Sequence, residues 1–165
     1  MATVWARAFG VAACVAAVVL LIAALLLAAR ADATEASVTG ANVRLPAVAG
    51  RPAAGYLTIR AGDATVIVTG AASPLADRIE LHGSSMAGGV VRMSALPELR
   101  VMAGKSGGFA PGGNHLMIFG LRGDVKPGAT VPVVLRLAGG GSLRVDAVAV
   151  APGAAIPDAH GHGAH

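Results

Sequence analysis

One cysteine, Cys14, occurs in the 165 residues, and aromatic side chains amount to only 3%. Charged residues are scarce too, at 13%. Each shortage closes off a class of function. Cys14 sits in an apolar run near the amino terminus, so the rest of the chain has neither a thiol nor a disulfide to rely on. Of the 13 basic and 9 acidic residues, Arg7, Arg30 and Asp32 precede residue 34, leaving 11 and 8 and a net charge of +3. Those charges are scattered singly, and the aromatics beyond residue 33 are Tyr56, Phe109 and Phe119. Neither the basic stripe nor the stacking platform of a nucleic-acid binder is present.

Apolar residues, by contrast, are abundant at 55%, and much of that is local. Between Arg7 and Arg30 lie 22 uncharged residues, AFGVAACVAAVVLLIAALLLAA, long enough to span a bilayer. Arg7 makes a short positive region before the run, and Ala29-Arg30-Ala31 and Ala31-Asp32-Ala33 supply small-residue sites for a signal peptidase. Residues 1–33 are therefore a signal peptide or a membrane anchor. The length of the run favours an anchor, and the A-x-A sites favour cleavage after Ala33. Either one places the remainder outside the cytoplasm, with membrane contact only if the segment is retained. VAAC at Cys14 looks like a lipid-attachment motif, but the apolar run follows the cysteine instead of preceding it, which argues against lipidation.

From residue 36 the texture changes to short runs punctuated by glycine and proline. SVTGANVRL, AGYLTIR, ATVIVTG, ADRIELH, GVVRMSA, NHLMIFGL, ATVPVVLRL and SLRVDAVAV read as strands. Val131, Val133, Leu135 and Leu137 share one strand face. Past AGGGS, a hairpin loop, Leu143, Val145, Ala147 and Ala149 do the same. No stretch here has helical periodicity. Many short strands with turn signals between them predict an all-β antiparallel sandwich or Greek-key barrel over residues 34–150. Residues 151–165, APGAAIPDAHGHGAH, read as a flexible tail.

Histidine and methionine number five each, and they cluster. LHGSSMAGGVVRM holds His82, Met86 and Met93; NHLMIFGL holds His115 and Met117. On a strand, His115, Met117 and Phe119 face one side and Leu116 and Ile118 the other. His115 and Met117 then lie about 7 Å apart along one face. On a helix, residues two apart diverge, so H-x-M works as a chelate only on a strand. In DRIELH, Ile79 and Leu81 share a face and His82 lies beside Glu80 on the other; the following GSS predicts that the strand ends at His82, on a sheet rim. Singly, each methionine reads as a core gap-filler and each histidine as a surface residue. Together they make a set of neutral, partly soft ligands. Thioether sulfur suits copper, Cu(I) above all, and gives zinc little reason to stay. An electron-transfer blue-copper centre needs a cysteine thiolate, which this part of the chain lacks.

The spacing His82-x10-Met93-x21-His115-x-Met117 is similar to the signature of the PCu(A)C family of periplasmic copper chaperones. ANVRLPAVAGRPAAGYLTI, ASPLADRIELH and GGNHLMIFGLRGDVKPGATVPVVLRL resemble the family's opening strands, its approach to the first ligand, and its second ligand pair. The match covers roughly residues 36–150. The resemblance implies a cupredoxin-like β-barrel on which His82, Met93, His115 and Met117 hold Cu(I). It also implies delivery of copper toward the Cu(A) centre of cytochrome c oxidase, with subunit II or another Cu(A) assembly factor as partner. Three positions depart or add. Gly83 stands where the family often has an acidic residue, Ala61 where it often has Asn, and Met86 falls where a further Met is common, making it a candidate neighbour or ligand.

In the tail, His160, His162 and His165, with Asp158, are harder ligands on a mobile chain, suited to Cu(II) or Zn(II). A sequestration protein for copper tolerance is the alternative to a chaperone. An enzyme is disfavoured: a terminus at Thr34 offers no amino-terminal histidine, and no Ser/His/Asp or paired-carboxylate arrangement appears.

Overall fold

A computed structural model describes residues 35–87 and 90–156. The expectations about residues 1–33, Cys14 and the tail histidines lie outside the described residues. Within them are ten strands and no helix. They are β1 (Ser37–Arg44), β2 (Ala53–Arg60), β3 (Val66–Ala72), β4 (Arg78–Ala87), β5 (Val90–Ala95), β6 (Leu99–Val101), β7 (Ser106–Phe109), β8 (His115–Phe119), β9 (Thr130–Leu137) and β10 (Ser142–Val150). The sheet runs β5-β4-β8-β2-β1-β10-β9-β3-β6, and an added β3–β4 pairing, Ala71 with Ile79, closes it. The result is the expected all-β fold, a closed barrel of seven strands, β4-β8-β2-β1-β10-β9-β3. Strands β5, β6 and β7 pair with β4, β3 and β2 respectively. Only β1 and β10 pair in parallel among the described strands.

Period-two alternation builds the core. In β9, Val131, Val133 and Leu135 are buried, and across the hairpin Ala147 and Ala149 of β10 join them. Ile59, Val68, Leu116 and Ile118 complete the barrel interior from β2, β3 and β8. The β9–β10 loop turns as AGGGS predicts: Gly139 and Gly140 both take positive φ, and the Leu137 amide donates to the Gly141 carbonyl at 2.9 Å.

Three features differ from the sequence reading. The segments LRV and SGGF are strands β6 and β7, although one is only three residues long and the other is half glycine. Pairing to β3 and β2 overrides their weak local preference. At Gly108 a Cβ would run into the Leu57 carbonyl, so glycine is what lets β7 lie against β2. Third, His82 does not end its strand. β4 continues through Gly83-Ser84-Ser85 to Ala87, because β5 folds back and pairs with it from His82–Ala95 to Ala87–Val90. The hairpin satisfies a backbone that GSS alone would leave as a turn.

Candidate metal-binding site

Strands β5, β4 and β8 lie side by side, and their register decides which side chains share the outer face. His82 pairs directly with His115, and Glu80 with Met117. On the other flank of β4, Ser84 pairs with Met93 and His82 with Ala95. Directly paired residues point to one side, so His82, Met93, His115 and Met117 occupy the same face. The opposite face is the core, filled by Ile79, Leu81, Leu116 and Ile118.

His82 is the centre of this patch. Met117 lies diagonally from it toward Glu80, and Met93 diagonally on the opposite side, toward Ser84. The register therefore brings His82, His115 and Met117 together, while Met93 stands on the outermost strand, 62% exposed. Of Met86 the strand position is described: it pairs with Val91, four residues beyond His82.

The two imidazoles face each other with ring centroids 5.8 Å apart and planes tilted by 42°. His115 is buried, at 7% exposure, and its Nδ1 donates to the Gly113 carbonyl at 3.2 Å, leaving Nε2 with its lone pair. His82 is arranged the other way. Its Nε2 donates to Glu80 Oε2 at 2.9 Å, and its Nδ1 is buried with no hydrogen-bond partner among the described residues. A buried, unpaired ring nitrogen is costly unless something completes it. Both rings thus spend one nitrogen on an orienting acceptor and keep the other free, the arrangement that metal-binding histidines adopt.

Glu80 is not a free ligand, since its second oxygen accepts from Arg78 Nε at 2.8 Å. The hydrogen bonds from His82 and then Arg78 hold its carboxyl below the usual range, so it stays an acceptor. Arg78 in turn packs over the Phe119 ring at 3.8 Å. This R-x-E-x-H-x alternation on β4 was legible as a strand pattern, but the role of Arg78 and Phe119 was missed, because the stacking crosses from β4 to β8. Among the described residues no three His, Cys, Asp or Glu side chains cluster. A harder, carboxylate-rich site is thus absent among them, and the donors that do gather are two imidazoles and a thioether, with a second thioether on the flanking hairpin.

Gly83 has a steric explanation. A Cβ there would meet Leu96 at 3.1–3.2 Å and Asn114 Oδ1 at 3.3 Å. An acidic side chain there would have to push Leu96 and Asn114 back, and the carboxylate beside His82 comes from Glu80 instead. Gly83→Asp is expected to destabilise the fold by about 1–3 kcal/mol through overpacking and charge burial, read as a lower thermal midpoint.

Comparison with known proteins gives the same fold. The LpqE-like lipoprotein family matches residues 36–150. A relative in Leifsonia xyli subsp. xyli, named as lipoprotein Lxx21020, is 35% identical over 85 residues, 51% of this chain and 51% of its own length. The chain thus spans about half the length of that relative. The solution structure of Cu(I)-DR1885 from Deinococcus radiodurans is 32% identical with a TM-score of 0.58, covering 74% of this chain and 83% of that one. The copper-bound PCuAC domain from PmoF2 superimposes with a TM-score of 0.59 at 16% identity, covering 73% and 96%, and shares the fold.

Proposed function

Because the chain belongs to the LpqE-like family and has the fold of PCuAC domains, we propose that it is an extracytoplasmic copper chaperone, not an enzyme. Its cargo is Cu(I), taken by His82, Met93, His115 and Met117. The observation that carries this reading is the buried His82 Nδ1, without a hydrogen-bond partner among the described residues, on a ring 5.8 Å from that of His115 on the paired strand, with Met117 on the same face. Neutral imidazole and thioether donors bind Cu(I) without adding charge, and they discriminate against zinc and magnesium.

The positions of the proposed ligands support delivery. Met93, on the exposed outer strand, is the ligand a partner reaches first; a partner thiolate displaces it and then Met117, while the more buried histidines hold the ion until the end. The acceptor in this reading is the Cu(A) centre of cytochrome c oxidase, in subunit II or through another assembly factor. The lipoprotein names of the family and of the Leifsonia relative support an extracytoplasmic, membrane-associated location. The tail histidines, His160, His162 and His165, supply a second site for Cu(II).

Deletion of the gene discriminates delivery from sequestration. Oxidase Cu(A) loading is expected to fall while growth at raised copper is unchanged; lost tolerance with normal Cu(A) loading would show a sequestering protein instead.

A further inference from the structure

The four ligand candidates leave one contact unused, the part-buried hydrogen bond between His82 and Glu80. We infer that Glu80 is a positioning residue of the copper site: it holds the Nε2 proton of His82 and so makes Nδ1 the copper-facing nitrogen of that ring, whereas His115, tied through Nδ1, presents Nε2. The inference rests on the copper reading above and adds which nitrogen of each ring binds and what fixes the choice.

Three observations converge on it. Glu80 Oε2 accepts from His82 Nε2 at 2.9 Å, and a carboxylate can only accept, so Nε2 carries the proton and Nδ1 the lone pair. That Nδ1 is buried and has no partner among the described residues. Glu80 is itself immobilised, because Arg78 Nε donates to its other oxygen at 2.8 Å while the Arg78 guanidinium lies 3.8 Å over the Phe119 ring. The chain Phe119–Arg78–Glu80–His82 therefore fixes the ring about its Cβ–Cγ bond before any metal arrives. A 180° ring flip would break the Glu80 bond. The Gly113 carbonyl does the same for His115, with the opposite nitrogen.

The side chain of Glu80 is 39% exposed, so its removal leaves the core intact and the contact can be tested without unfolding. The full chain, labelled with 15N-histidine and held in detergent micelles, is observed by long-range 1H–15N correlation with and without Cu(I). The His82 and His115 signals are assigned from single His→Asn variants. Cu(I) is expected to shift Nδ1 of His82 and Nε2 of His115, with His82 Nε2 staying protonated. Glu80→Ala should lose the protected Nε2–H signal and weaken Cu(I) affinity about tenfold in chelator competition, with the backbone amide spectrum otherwise preserved. Glu80→Gln, whose carbonyl oxygen still accepts, should restore most of both. Copper on His82 Nε2, or an unchanged affinity in Glu80→Ala, would overturn the inference while leaving the copper site standing. A wild-type chain that takes no Cu(I) at its histidines would bring down the copper reading, and this inference with it.

Discussion

Met93→Ala combined with Met117→Ala is expected to abolish Cu(I) binding to the barrel. The loss should exceed the roughly 10- to 100-fold that removing a hydrogen-bond partner of a ligand costs, because two of the four donors themselves are gone. Nothing replaces them. Among the described residues no cysteine is present and no acidic cluster lies near, and both oxygens of Glu80 are engaged. The substitutions spare the fold, since Met93 is exposed and Met117 lies on the outer face, away from Leu116 and Ile118. Competition with a chromophoric Cu(I) chelator reads the affinity, and an unchanged unfolding midpoint certifies the fold. The tail histidines should still take Cu(II), giving an internal control within the same sample. Retained Cu(I) affinity in the double variant would mean that the copper site, as assigned to these residues, is wrong.

A second large effect is structural and reaches the site through one strand. Leu116→Ala should cost about 2–5 kcal/mol, the range for truncating a buried leucine. Leu116 is 1% exposed and sits between His115 and Met117 on β8, so the same short strand carries core on one face and two proposed ligands on the other. Against a typical total of roughly 5–15 kcal/mol, such a loss leaves a domain near its limit. Its thermal midpoint should fall by about 10 °C or more. Added Cu(I) should recover part of that loss, because a ligand that binds only the folded state stabilises it by mass action. An unshifted midpoint would contradict the burial of Leu116 in the barrel.

The route from sequence to site was short where chemistry and strand period coincided. His115 and Met117, two apart on a five-residue run with Leu116 and Ile118 between them, can only alternate if the run is extended, and β8 does so. The same logic set His82 beside Glu80 and opposite Ile79 and Leu81. It failed at GSS, where a glycine and two serines carry turn preference. β5 pairs with that backbone residue by residue, and no local signal in residues 83–87 announces a partner strand. Leu99–Val101 and Ser106–Phe109 were missed for the same reason, being too short or too rich in glycine to form strands without β3 and β2 beside them.

By itself, then, the sequence determined the fold class and marked the apolar leading segment and the candidate donors, since residue chemistry and a period of two are properties of the chain alone; the proposed set of four came from the family resemblance. Tertiary structure decided the register. Pairing His82 with His115, not with a residue one step away, puts both rings on the outer face; a slip by one residue would turn every ligand of one strand into the core. It also decided that Met93 stands apart on the outer hairpin strand and which nitrogen of each imidazole is free. Those choices depend on hydrogen bonds donated to Glu80 and to the Gly113 carbonyl, whose geometry exists only once the strands have paired.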